Sequence, residues 1–558
     1  MISAGNSLAD RGTTFADVIV VGAGAAGIAV VRRLANRMGK IILLDAGDGQ
    51  FRPSDNDTFF RAERVDNDRH APAEFNRRRM LGGTTTVWGG RCIPFDPEDF
   101  EPTERRQGWP IPYTDFSRYT GDTLDFFDAG PDDFSASRIL PGKTRIIAGT
   151  PKDLLLDMVE RYSKPTNVWT KYQADLIRSA TVQVIQGAPC TSVLTNPDGT
   201  QVTGVAVQTS PGQRHSLLAE IVVLACGGME TPRLLLASTS ARSCGIGNER
   251  DSVGRYYMTH LVSSAENAGL IRFANPASAR AFDFMRATDG AYVRRMILLS
   301  PAARKRGGLP NIAFRPSRPP MNDPSHQNAA LSFTYLVRSL LIPREYTRSM
   351  TARLKSLDDL NTLRHLQNTA LHPFELIHFC GDLAIRRILA SRKLPSIFLY
   401  QRNGLYPLEF NAEQLPNRES RLRLGTERDP LGLPRLVIEW RYDDREIDAI
   451  SRAYRTLAAA VQESGLGEVD LGADVRASVQ SAMVPQGGHH IGTARMGDEP
   501  TTSVVDRNCE VWQTRGLFLA GTAVLPTSGF ANPTLTAVGL AFRLADHLIG
   551  LKNIAGVA

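Results

Sequence analysis

Three glycines at fixed spacing behind a β-branched run constrain this chain more than any other feature. Asp17-Val18-Ile19-Val20-Val21 reads as a short buried strand. Gly22-Ala23-Gly24-Ala25-Ala26-Gly27 follows without a break, Ile28 to Asn36 reads as a helix, and Lys40 to Asp45 reads as a second strand ending in an acid. The chain must pass from strand to helix in one tight turn and return to lay a parallel strand beside the first, which begins a doubly wound α/β sheet. Gly22 makes the turn, Gly24 lets backbone approach a pyrophosphate, and Gly27 lets helix and strand pack closely. The helix N-terminus carries partial positive charge and free N–H groups that attract a diphosphate. Asp45, with Ala46 beside it, stands where a carboxylate accepts from adenosine ribose hydroxyls. Such a turn alone serves FAD and NAD equally.

Composition narrows the class. With 558 residues the chain is long enough for two domains or more. A net charge of +7 is modest for this length, and no basic run interleaved with aromatics marks a nucleic-acid groove. The six cysteines are scattered with no C-x-x-C pair, so they form neither a disulfide framework nor a zinc ribbon. His365, His372 and His378 do not fall at a metal-binding spacing, so no metal is expected. Met1 to Thr14 lacks an apolar signal core, and no stretch approaches the roughly 18 unbroken apolar residues of a membrane span. We therefore expect a cytoplasmic enzyme, with oligomerisation open.

Four further blocks stand out. Met80 to Arg91 places glycine pairs around Thr84-Thr85-Thr86-Val87-Trp88, as suits a backbone bending against a flat ligand. Ala219 to Leu236 reads as a buried strand, a turn at Gly227-Gly228, and a helix starting near Thr231-Pro232. Val253-Gly254-Arg255-Tyr256-Tyr257-Met258-Thr259-His260 follows. The C-terminal block runs from His489-His490-Ile491-Gly492-Thr493 through the strand ending Gly521-Thr522 to Phe530-Ala531-Asn532-Pro533-Thr534 and an amphipathic helix.

In this order the five blocks resemble the glucose–methanol–choline (GMC) oxidoreductases, over roughly residues 15–130, 180–262 and 480–550. Gly82 to Gly90, Val253 to Tyr257, Gly108-Trp109-Pro110-Ile111 and Glu413-Gln414-Leu415-Pro416-Asn417 lean toward the pyranose oxidase and bacterial glycoside 3-oxidase branch. The resemblance implies an α/β fold with a doubly wound FAD-binding domain assembled from discontinuous segments, 1–262 and 480–558. It also implies an α+β substrate domain with an antiparallel sheet over 263–479. The Arg-rich segment at about 340–395 reads as a helical insertion and departs from the family pattern. The implied cofactor is FAD, touching Gly22, Gly24, Ala25, Ala26, Gly27, Asp45, Ala46, Gly83, Thr84, Thr85, Val87, Trp88, Gly90, Ala225, Gly227, Gly521, Thr522, Asn532, Pro533 and Thr534. Some relatives bind FAD covalently through a histidine just before the tryptophan of the second block. Val87 stands there, which implies non-covalent FAD. Gly521 replaces an acid found in many relatives, which puts that one contact in doubt.

Oxidising an alcohol requires a base for the hydroxyl proton while flavin takes hydride from the same carbon. His489 matches the family's His-x-x-Gly-Thr histidine and is the expected base, with His490 its competitor. Asn532 matches the second catalytic position, where an amide can donate to the substrate oxygen but cannot accept its proton. Gln414 and Asn417 are expected to face substrate by analogy with the sugar-oxidising branch. The expected substrate is a sugar or glycoside, oxidised at a secondary hydroxyl, with O2 or another acceptor taking the electrons. A quinone- or cytochrome-linked dehydrogenase, a lyase keeping FAD as structure, and an NAD-dependent reductase are the rivals.

Overall fold

The computed structural model describes every residue except 9–13, 66–68, 105, 141, 143–145, 147–150, 264–268, 342–358, 402–403 and 556–558. The expected strand–turn–helix–strand unit is Thr14–Val21, Ala25–Leu34 and Ile41–Leu44. Val18–Val21 and Ile41–Leu44 are buried throughout, as parallel strands covered on two faces require, while Phe15 at the start of the first strand is exposed. Around them grows an eight-stranded sheet whose parallel strands run Ile2–Ala4, Val182–Gln186, Ile41–Leu44, Thr14–Val21, Gln213–Leu224 and Leu517–Leu519. Consecutive neighbours lie up to hundreds of residues apart, so the sheet is assembled from discontinuous segments. Ile2–Ala4 falls in what the sequence shows only as a polar leader. A hairpin turns at Pro197-Asp198-Gly199, with Cys190–Thr195 antiparallel to Val202–Ser210 and Gly199 at φ +70° in the turn.

A second eight-stranded sheet is antiparallel, with Leu405–Glu413 at its centre between Ile312–Pro316, Leu270–Phe273 and His260–Ser263. Side chains alternate along Leu405–Glu413, so Glu409, Asn411 and Glu413 share one face, as do Arg315 and His260 opposite them. Strand pairing stops at Glu413 and resumes at Arg421–Arg428. Helix Asp444–Glu463 starts on a capping box of Asp443 and Glu446 and packs its apolar stripe into this second core. The first sheet has its own core.

Helix Gly227–Ala237 starts four residues before the expected Thr231, so Pro232 lies inside it. A proline there has no N–H for the carbonyl one turn back, that of Gly228. The Thr493 hydroxyl fills the gap, donating to Gly228 O at 2.6 Å. A Cβ on Gly228 would lie 2.1 Å from the His490 carbonyl oxygen, so only glycine lets the two segments touch. Pro232, Gly228 and the Gly492-Thr493 pair are thus one joint, and that joint fixes where His489 and His490 sit.

The C-terminal helix Pro533–Ala555 packs along Ala25–Leu34. Residues Pro533–Asn553 are long and apolar enough to cross a membrane by composition, but two-thirds of the qualifying stretch is buried within the protein. Its apolarity is that of a core helix.

Candidate active site

The three glycines of the first turn act differently. Gly22 sits at φ +104°, and a Cβ there would meet the Ala225 carbonyl oxygen at 2.6 Å. A Cβ on Gly27 would lie 1.8 Å from Gly22 O, so Gly27 is required by packing and stands behind the cavity wall. Gly24 is neither left-handed nor crowded, since a Cβ would meet nothing within 4 Å. Its added methyl would project beside a cavity that Gly22, Gly24, Ala25, Ala26, Asp45, Ala46, Gly83, Thr84, Ala225, Gly227, Gly521, Thr522, Pro533 and Thr534 all border.

The donors and acceptors of this cavity fit a dinucleotide. Asp45 accepts from Ala23 N–H at 2.7 Å and Gly47 N–H at 2.8 Å, which fixes its carboxylate at the rim. Burial raises its pKa while those two N–H groups pull the other way. The first turns of helices Ala25–Leu34 and Pro533–Ala555 both reach the cavity and offer unpaired N–H groups to anionic atoms. Arg78 and Arg79, which the sequence reading passed over, also border it, stacked on Phe51 and Phe59. The run Arg77-Arg78-Arg79 just before Met80 was the available signal.

Several expected contacts serve the fold behind the cavity. Trp88 donates its indole N–H to Thr166 O at 3.0 Å and packs on Phe127. Thr85 donates to Gly82 O at 2.6 Å and accepts from Val168 N–H at 3.2 Å. Gly90, at φ +70°, abuts Ser163, and Val87 closes the short helical turn Gly83–Thr86. At Gly521 the backbone takes φ +110°, a conformation that favours glycine over the acid found in many relatives.

His489 and Asn532 converge, with Asn532 Nδ2 3.2 Å from His489 Nε2. Behind them stands His260, whose Nδ1 lies 2.6 Å from His489 Nδ1 and whose Nε2 lies 2.9 Å from Ser528 O. A carbonyl oxygen can only accept, so His260 Nε2 carries the proton. Burial above all, with Arg315 and Arg91 adding to it, lowers the His260 pKa to about 4, so the ring is neutral and accepts at Nδ1. His489 must then donate from Nδ1, which leaves Nε2 as a bare lone pair directed at Asn532. Burial, followed by His260 and the charge of Arg91, holds the His489 imidazolium well below its usual range.

A second relay sets the neighbouring ring. His70 donates from Nδ1 to Ala71 O at 2.7 Å and accepts the Tyr257 hydroxyl proton at 2.8 Å; Tyr257 accepts from His490 Nδ1 at 2.9 Å. His490 Nε2 is left buried with no protein partner, on a residue bordering the cavity.

Gln414 and Asn417 are both engaged within the protein. Gln414 is 1 % exposed, and its amide is spent on Thr259 N–H, the Trp440 indole and Arg441 O. Asn417 accepts from Glu419 N–H and shapes a turn. Asn411, three residues before Gln414, reaches the Asn532 segment instead. Its Nδ2 donates to Phe530 O at 2.7 Å, two residues from Asn532, and its buried Oδ1 has no partner.

GMC oxidoreductase family models match residues 165–262, which end at the His260 strand, and 416–541, which hold His489 and Asn532. C-glycoside 3-oxidase of Arthrobacter globiformis is 35% identical over 135 residues, 24% of each chain. The chain thus matches about a quarter of that relative's length. The 2-methyl-1,2-propanediol dehydrogenase of Mycolicibacterium austroafricanum is 22% identical over an alignment covering 95% of each chain. A crystal structure of formate oxidase shares the fold, with a TM-score of 0.55 at 15% identity, covering 97% of this chain and 99% of that one. The chain belongs to the GMC oxidoreductases, a family of FAD-binding enzymes that act on CH–OH groups.

Proposed function

We propose that this protein oxidises a secondary hydroxyl of a sugar or glycoside to a ketone, with FAD held non-covalently and His489 as the base. The observation that carries the reading is the 3.2 Å approach of His489 Nε2 to Asn532 Nδ2, with the His489 tautomer set by His260. FAD supplies the hydride acceptor when bound. The chain's own groups do the rest. His489 Nε2 takes the hydroxyl proton as the carbon loses hydride, and the Asn532 amide donates to the oxygen as charge builds there. His489 then holds the proton, its Nδ1–H still bonded to His260.

Two unpartnered buried acceptors, Asn411 Oδ1 and Asn532 Oδ1, favour a substrate with several hydroxyl donors over a simple alcohol. Val87 carries no nucleophile, which supports a non-covalent cofactor. The kinship with a C-glycoside 3-oxidase points the same way on substrate. The test is anaerobic flavin bleaching against a panel of glycosides, free sugars, polyols and simple diols. Glycosides or sugars should bleach the flavin fastest. Bleaching by simple diols alone would overturn the sugar reading while leaving alcohol oxidation intact.

A further inference from the structure

Helix Pro373–Leu383 is apolar, yet none of its residues is buried. Its exposed stripe runs Phe374, Ile377, Gly381 and on through the following π-turn to Ile385 and Ile388, a three-and-four spacing that marks one continuous face. Phe374 is 84 % exposed and the adjacent Leu389 78 %. A protein in water does not ordinarily leave such a row of large apolar side chains uncovered.

Charge is concentrated in the same stretch of the sequence. Residues 338–393 contain ten Lys and Arg against five Asp and Glu, so five of the chain's seven net positive charges lie in this tenth of its length. Arg364 on the preceding helix Asp359–Leu371, Arg387 in the π-turn and Lys393 just beyond it are exposed, while Asp382 is paired with Arg386 at 3.2 Å.

We propose that this face docks on an anionic lipid bilayer, with the Pro373–Leu389 stripe lying in the plane of the interface. Apolar side chains would enter the boundary between headgroups and acyl chains while the flanking cations meet lipid phosphates. Charge argues against a second copy as the occupant, because a two-fold contact would press the two basic surfaces together. The surface is separate from the His489 site, so this proposal stands or falls independently of the substrate reading.

The test is flotation of the FAD-loaded protein with phosphatidylcholine vesicles and with vesicles that also contain phosphatidylglycerol. The protein should float with the anionic vesicles, weakly with the neutral ones, and release as salt rises. Arg364→Gln with Lys393→Gln should weaken anionic-vesicle binding about thirtyfold. Phe374→Ser, Ile377→Ser and Ile388→Ser together should abolish flotation, with FAD content and thermal midpoint unchanged because all three positions are exposed. Failure of the unmodified protein to float with either vesicle overturns the proposal, whatever the variants do. So does full flotation of the triple-serine protein. Sedimentation velocity adds a third check: a dimer that the serine variant dissociates, without vesicle binding, would assign the face to self-association instead.

Discussion

A histidine that takes a proton from an alcohol needs its lone pair on the substrate side of the ring, and neutral imidazole has two ways to place it. In this protein the choice is made two groups away, by the Ser528 carbonyl. His260 is therefore a positioning residue that acts through His489. His260→Gln can still accept from His489 and donate to Ser528 O, whereas His260→Phe can do neither. The phenylalanine variant should lose more than about tenfold in kcat/KM, toward the ~10⁴-fold that a wrong tautomer can cost, and the glutamine variant should recover most of that. Steady-state rates as a function of pH check this: the phenylalanine variant should also shift the acidic limb of the profile, which a purely structural lesion would not do.

At the scale of elements, the joint between helix Gly227–Ala237 and the His489 segment makes a sharper claim. Thr493→Val leaves Gly228 O without a donor and should cost about 1–3 kcal/mol. In a Pro232→Ala background the helix can supply its own N–H to that carbonyl, so the same Thr493→Val change should cost less. A double-mutant cycle read by denaturant unfolding measures the difference, and strict additivity would dissolve the joint. This joint also shows what the sequence displays and what it conceals. Gly22, Gly24, Gly27 and Asp45 were legible because strand, turn, helix and acid are consecutive. His489 and Asn532 were legible through the block pattern. His260 and Asn411 were not, because only sheet pairing brings residues hundreds of positions apart to one face. Gln414 was misplaced because nothing local marks the end of the strand at Glu413. Pro232 looked like a helix start because its compensating donor, Thr493, is 261 residues away.

Taken whole, the protein buries an unusual number of neutral histidines around one site. His70 and His260 are each lowered to about 4, and His489 and His490 are also depressed, in all four cases chiefly by burial. A folded-state value below the unfolded value of about 6.5 means the unfolded chain binds more protons in between, so stability falls as pH drops through that window. Asp99 and Glu446, raised by burial to about 7, act in the opposite direction. Each histidine held neutral contributes about 1.4 kcal/mol per pH unit between its folded value and about 6.5, and the buried acids offset part of it. Urea unfolding between pH 7 and pH 5, compared with a His70→Gln variant, measures one such share: the variant should lose less stability as pH falls, and an identical slope would mean that His70 is not held neutral. The most direct test of the central claim is anaerobic stopped-flow reduction of the bound flavin in a His489→Ala protein. With FAD retained, reduction by a substrate sugar should slow by roughly 100- to 10,000-fold, about 3–5 kcal/mol. Reduction at the unmodified rate would show that the base is not His489.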